Sequence, residues 1–298
     1  MNFTQAHLSA VVAFTMWGTF PLYWKIFSGE ASWDLFGQRL IWSFITLLLI
    51  IAYQKKFKTL GKIWKDKKVR YMLILSGIMI SSNWLIYIYA VSVGRVLEAS
   101  LGYFLNTLIN VFMGWLILKE TIRPTQWPAI ILALLAIILI AVRVDFAHFP
   151  WIAISLSLTF ALYGLIRKVT AVGSIEGLTF ETSFVLIPVL IFWANYSSTP
   201  LTIYEHLPLW KSLVLVLSGL VTCIPLVLFA YSARNLRLQT LGFIQYLSPS
   251  FKFLCGWLVF KETISSELFQ TFVMIWVALI WYSIESIVVK KWRRFQPS

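Results

Sequence analysis

GWLILKETI at residues 114–122 returns as GWLVFKETI at residues 256–264. Seven of the nine positions are identical, and the other two exchange one apolar residue for another. A match that keeps a Trp and a Lys-Glu pair in place is not a chance event. The copies lie 142 residues apart in a chain of 298. The likeness continues upstream, where LGYFLNTLIN at 101–110 falls on FIQYLSPSFK at 243–252. Trp17-Gly18 and Tyr163-Gly164 open the two halves at a similar offset. The chain therefore reads as two related halves, residues 1–145 and 146–298.

Composition says what the halves are made of. Hydrophobic residues make up 59% and charged residues 12%, whereas a soluble domain is nearer half apolar and a quarter charged. Apolar runs long enough to cross about 30 Å of hydrocarbon recur along the chain. Ten spans are predicted, at 8–26, 34–53, 71–91, 96–118, 127–143, 150–167, 178–195, 210–231, 238–260 and 268–289. Connections are short, so successive helices are expected to be antiparallel neighbours. The N-terminus has neither the basic start nor the small-residue cleavage site of a removable signal, so the first helix is expected to stay.

The net charge of +13 would suggest nucleic acid on a soluble face. Here it sits in short loops, so lipid headgroups and topology explain it and no nucleic-acid partner is expected. With both termini in the cytoplasm, the inside segments hold 18 Lys and Arg and the outside loops three. Five spans per half is an odd number, so the second half enters upside down relative to the first. An inverted repeat of this kind is a mark of transporter folds. Pro21, Pro188, Pro225 and Pro249 fall inside spans, where each removes a backbone hydrogen bond and favours a kink.

Polar residues inside the spans form matching stripes. Tyr103, Asn106, Thr107 and Asn110 share one face of the fourth helix, and Gln245, Ser248 and Lys252 share one face of the ninth. The repeat pairs Tyr103 with Gln245, Asn106 with Ser248 and Asn110 with Lys252. Two such helices face to face would line a polar path; plain helix–helix hydrogen bonding is the alternative. Asn83 and Tyr87 in the third helix, Trp17 in the first and Tyr163 in the sixth join this candidate cavity. Arg39 and Glu98 lie within the outer quarter of the bilayer and are expected to form an ion pair, as a latch or as part of the site. Lys119-Glu120 and Lys261-Glu262 read as end anchors, and Glu181 and Glu285 as near-surface groups. Lys252 lies about 12 Å below its helix end at ~1.5 Å per residue. That is too deep for its ammonium to reach the surface, so an electronegative group of a solute is its expected partner.

No catalytic constellation appears. His7, His148 and His206 fall at span edges, none at ligand spacing with Cys, Asp or Glu. Cys223 and Cys255 match no metal spacing, and no phosphate loop is present. Neither an enzyme activity nor a metal or other cofactor is expected.

PLYWK (21–25), RLIWS (39–43), NWLIY (83–87), VLEASLGYFLN (96–106), YGLIRK (163–168), GLTFET (177–182), IPLVLFA (224–230) and TLGFIQYLSPS (240–250) together resemble the RarD group of the EamA-type permeases, within the drug/metabolite transporter superfamily. The resemblance covers nearly the whole chain. It implies an all-α membrane protein of ten transmembrane helices in two inverted five-helix repeats, with a cavity lined chiefly by helices 1, 3, 4, 6, 8 and 9. Two positions depart from the group: Gln38 stands where it usually has His, and Thr107 follows Asn106 where it has Pro. The expected function is alternating-access transport of small organic solutes, metabolites or drugs, across a bacterial inner membrane. Export is preferred, with amino-acid or metabolite uptake or exchange as the alternative and a non-transporting sensor as the remote one. Coupling to a proton or a counter-transported solute stays open, as does the oligomeric state.

An inverted repeat has a direct test. A single cysteine at Thr125 is expected to react only from the cytoplasm and one at Ser265 only from the periplasm. Reaction of both from one side contradicts the inversion.

Overall fold

The structure, a computed structural model, describes residues 3–27, 29–92, 96–143, 151–195, 202–259 and 266–295. Among the described residues every regular element is helical. The order is α1 (Phe3–Lys25), α2 (Ser32–Tyr53), α3 (Phe57–Lys65), α4 (Lys67–Ser92), α5 (Val96–Leu116), α6 (Trp127–Arg143), α7 (Trp151–Val169), α8 (Ser174–Asn195), α9 (Ile203–His206), α10 (Leu209–Asn235), α11 (Leu238–Gln245), α12 (Leu247–Leu254) and α13 (Ser266–Phe295). A short 3-10 turn precedes α6 and a π-helical turn, Cys255–Val259, follows α12. Helices α2, α4, α7, α8 and α10 are long and apolar enough to cross a membrane on length and composition alone, and α6 and α13 hold shorter apolar stretches. Side chains such as Leu49, Leu213 and Ile280 stand more than half exposed on the outside of the bundle. Water would penalise that surface, and lipid accepts it.

Each of the ten expected spans is helical over most of its described length, with Ile26, Ile117, Leu118 and Tyr246 outside the helices, and two further helices lie between them. The basic segment 54–70 folds in part as α3, which buries Ile63 against Leu73, Val172 and Phe180 while Trp64 stays exposed. An amphipathic helix with lysines on its outer face and an exposed Trp is built to lie in a membrane interface. The ninth span is two helices rather than one. Pro249 has no N–H to give the carbonyl of Gln245, and the backbone tightens there, with the Tyr246 N–H on the carbonyl of Phe243 at 3.2 Å. Pro21, Pro188 and Pro225 do not interrupt α1, α8 and α10.

Helix neighbours depart from the expectation of successive antiparallel pairs. The largest contacts cross between the halves: α5 with α7, α4 with α7, α2 with α10, α1 with α10, α1 with α12 and α6 with α13. Exchanging α1 with α7, α2 with α8, α4 with α10, α5 with α11–α12 and α6 with α13 returns most of the pattern, the exception being α7–α10, which has no comparable α1–α4 contact. Thus α4 on α7 becomes α10 on α1, and α5 on α7 becomes α11–α12 on α1; α2–α8, α5–α11 and α6–α13 map onto themselves. That is the two-fold exchange an inverted repeat requires.

The connections sort onto two faces. One carries α9 and the α1–α2 turn, where His206 Nε2 lies 2.9 Å from Glu30 and the Tyr204 hydroxyl donates to Gln38. Donation from the ring to the Glu30 carboxylate raises the His206 pKa above its ordinary value. The other face carries α3 and the basic connections, joined by Lys56–Glu176, Arg123–Glu285 and Lys168–Glu120. Glu285 is therefore tied to Arg123 and to the Thr125 hydroxyl, and is 8% exposed.

Close approach makes a contrast between two glycines related by the exchange. A Cβ on Gly219 would overlap the Trp42 backbone carbonyl and lie 2.6 Å from the Thr46 hydroxyl, whereas one on Gly77 would meet the Glu181 carbonyl at an ordinary 3.4 Å. Gly219→Ala is expected to lower thermal stability in detergent by about 1–3 kcal/mol, and Gly77→Ala to leave it nearly unchanged. Equal losses at both positions would show that α2 and α10 do not approach as described.

Candidate functional site

Helices of both halves enclose a cavity of about 300 Å³. Helical spacing puts Trp17, Pro21 and Trp24 of α1 on one wall, and Asn83, Trp84 and Tyr87 of α4 on another. Tyr103 comes from α5, Phe160 from α7 and Arg39 from α2. The break at Tyr246 leaves Gln245 at the end of α11 and Ser248 and Lys252 on α12, all three lining the space. The close seat of α12 on α1 depends on Gly18, where a Cβ would overlap that of Phe251 and stand 2.9 Å from the Ser248 carbonyl.

Two cations reach this space. The Lys252 ammonium lies 4.4 Å from the ring centroid of Tyr103 and 5.7 Å from that of Tyr87. The Arg39 guanidinium lies 4.1 Å from the ring centroid of Trp84, and its Nε donates to the Thr222 hydroxyl at 2.9 Å. Such ring contacts stabilise a desolvated cation by about 2 kcal/mol, well short of its hydration. Among the described residues no carboxylate comes within ion-pair distance of either cation. Gln245 accepts from the Asn110 amide at 3.2 Å, and its own NH₂ has no acceptor among the described residues. The Asn83 NH₂ is spent on the Leu156 carbonyl and the Thr159 hydroxyl.

Toward the α3 face the cavity ends on aromatic rings. Trp17 packs on Phe14, Phe160 and Phe229 at centroid distances of 5.5–5.7 Å, and Tyr163 stacks on Phe229 at 5.6 Å. Beyond the rings come polar links. Arg167 and Glu181, each 1% exposed, pair at 3.3 Å, and the Ser76 hydroxyl donates to the same Glu181 oxygen at 2.7 Å. Glu120 accepts from the N–H groups of Leu238 and Gln239, capping α11. The Lys168 ammonium holds the Leu236 carbonyl, and Arg234 donates to the carbonyl of Val172 at 2.6 Å.

Most expected site residues come together here: Trp17, Asn83, Tyr87, Tyr103, Gln245, Lys252 and Arg39 line one space. Asn106 and Tyr163 do not. Asn106 is fully buried and donates to the Ser157 carbonyl at 2.8 Å, because α7 covers α5 below Tyr103. Tyr163 is fully buried under the floor. Thr107 and Asn110 likewise serve packing against α11. The side chain of Glu98 lies outside the described residues, as do Lys261 and Glu262; the described partners of Arg39 are Thr222 and the tryptophan rings. The lining contributed by the eighth span was expected from α10 and comes instead from α2, whose Leu35, Phe36 and Arg39 face the cavity.

Two corrections come from helix ends. Glu120 is not a headgroup anchor: Lys119 adopts a positive φ of 53°, which turns the chain back so that Glu120 reaches α11. Glu181 is not near a surface. Helix α8 begins at Ser174 rather than 178, which puts Glu181 about 10 Å along it at ~1.5 Å per residue.

Comparison with known proteins places this arrangement. The profile described as EamA-like transporter family matches residues 4–142. The uncharacterized transporter PA0485 of Pseudomonas aeruginosa is 37% identical, over 96% of this chain and 95% of its own. The uncharacterized transporter YojE of Bacillus subtilis is 36% identical over 96% and 95%. Protein RarD of Salmonella typhimurium is 34% identical over 96% and 97%. A solved structure described only as a crystal structure of a protein shares the fold, with a TM-score of 0.74 at 15% identity over 95% of this chain and 98% of its own.

The buried Arg167–Glu181 pair has a distinct signature. Removing one partner strands the other, at about 3–5 kcal/mol. Arg167→Met and Glu181→Gln are each expected to lower thermal stability, and the double variant to recover much of the loss. Additive losses would contradict the pairing.

Proposed function

We propose that this chain, which belongs to the EamA-like transporter family, is a secondary active transporter that carries a small organic solute through the central cavity by alternating access. The observation that carries the reading is the cavity itself. It lies between the two halves, has aromatic walls, and presents Arg39, Gln245 and Lys252 with donors to spare. It is shut toward the α3 face by rings and polar links. Among the described residues no cluster of His, Cys, Asp and Glu could hold a metal there, and the aromatic walls and spare donors suit binding and release.

The geometry gives each group a task. Trp17 and Phe160 form the floor on which the apolar body of the solute rests, with Tyr87 and Tyr103 beside it. Gln245 and Lys252 orient the polar end. Release on the other side requires the rings around Phe229 to part and the links of the α3 face to open, Arg167–Glu181 and Lys168–Glu120 among them. The two-fold exchange of helices supplies a matching closed arrangement for the α9 face. The basic α3 face is assigned to the cytoplasm of a bacterial inner membrane, with both termini there. Export is the preferred direction, with uptake or exchange as the alternative. A proton or a counter-solute supplies the drive.

Counterflow tests the reading. Vesicles containing only this protein, preloaded with a solute that raises its melting temperature, are expected to accumulate the labelled solute transiently. Lys252→Met is expected to abolish this accumulation while the protein stays folded, and Lys252→Arg to keep part of it. Solutes that bind without any counterflow would make the protein a sensor, and undiminished transport by Lys252→Met would remove that lysine from the site.

A further inference from the structure

Resting on the transport reading, we infer that the solute is an organic anion: a flat apolar body carrying a carboxylate or similar oxyanion, held by Arg39 and Lys252 together. The two cations enter one small space from opposite halves, Arg39 from α2 and Lys252 from α12. The Lys252 ammonium lies over the ring of Tyr103 and the Arg39 guanidinium over that of Trp84, and both rings line the same cavity.

Charge decides the class. The described carboxylates whose partners are known lie elsewhere. Glu120, Glu176 and Glu285 are paired at the α3 face, Glu181 is paired with Arg167 beneath the aromatic floor, and Glu30 is with His206 at the α9 face. The cavity thus holds two positive charges and, among the described residues, no negative one within ion-pair distance. In hydrocarbon that excess repels an ammonium solute and favours an anion.

Hydrogen bonding points the same way. Arg39 spends Nε on Thr222, and its two terminal nitrogens have no acceptor among the described residues. Lys252 makes ring contacts with Tyr103 and Tyr87 and, among the described residues, no side-chain hydrogen bond. Ring faces attract a cation but do not accept its N–H groups in the way an oxyanion does. A carboxylate offers two oxygens and several lone pairs, the complement of a guanidinium fork and an ammonium. The Gln245 NH₂ adds a neutral donor to the same wall. The rest of the lining is apolar and aromatic, and about 300 Å³ is at the small end of ligand cavities. A compact aromatic acid meets all of these conditions; a large cationic drug meets neither the charge nor the size.

Three probes on one ring separate charge from shape: indole-3-acetate, indole-3-acetamide and tryptamine, anionic, neutral and cationic at neutral pH. Melting temperature and titration calorimetry are read on purified protein in detergent. Indole-3-acetate is expected to stabilise the protein, with the amide weaker and tryptamine without effect. Lys252→Met is expected to bind the acetate about ten- to hundredfold more weakly and Lys252→Arg to keep part of the affinity. The unliganded Lys252→Met should melt no lower than the parent. If that variant does not fold, the charge series on the parent decides alone. Equal or better stabilisation by the amide or by tryptamine overturns the inference, and so does a lack of any effect of the acetate. The transport reading fails separately. Acetate binding without counterflow sinks transport and leaves the anion site, whereas counterflow of neutral or cationic solutes alone sinks the anion site and leaves transport.

Discussion

A polar group in hydrocarbon must find a partner inside the protein, because no water is there to supply one. In this chain many of the partners lie in the other half. Asn83 donates to α7, Asn106 to α7, Thr107 and Asn110 to α11, Ser76 to α8 and Arg39 to α10. Ser232 of α10 returns the bond to the Ala6 carbonyl of α1. Each such bond is modest, near 0.6 kcal/mol on average in membranes, yet all tie one half to the other. The interleaved helix order follows from that. Each half separately would leave these groups facing lipid.

Some unpartnered donors, such as Trp193 Nε1 and Ser218 Oγ, are scattered through the bundle, but three sets share a location. The terminal nitrogens of Arg39, the ammonium of Lys252 and the NH₂ of Gln245 all face the central cavity. The interlocking also bears on movement. With contacts concentrated between halves, the proposed transport cycle would move helix pairs drawn from both repeats, rather than rock one repeat on the other. The floor of rings and the links of the α3 face are the contacts that such a shift has to break.

Much of the fold is legible in the sequence. Apolar runs locate the spans, and the repeated GWL and KETI residues, with an odd number of spans per half, impose the inversion. Helical period identifies the polar face of α5, but not how far the cavity reaches along it. Tyr103 reaches the space while Asn106, one turn on, is covered by α7. That depends on tertiary packing at Gly102, whose missing side chain lets α7 approach to 2.8 Å of where a Cβ would be. Helix ends were the other blind spot. Glu181 reads as a near-surface group when its helix is started at 178, and Glu120 reads as an anchor until the positive φ of Lys119 turns it onto α11. A Lys-Glu pair repeated in both halves was the available signal for the second of these. Arg167 with Glu181 could have been suspected from a basic helix end facing an acidic residue in the next span.

The aromatic floor and the Arg167–Glu181 layer close the cavity toward the α3 face, so access is expected from the α9 face. Ser248 lines that cavity and is 8% exposed. In a variant with Cys223 and Cys255 replaced, a single cysteine at Ser248 should react with a membrane-impermeant thiol reagent from the same side as a reference cysteine at Glu30. It should stay unreactive from the side of a reference cysteine at Lys58 in α3. Reaction from the Lys58 side alone would mean that the aromatic floor and the Arg167–Glu181 layer do not close the path, and the account would be wrong.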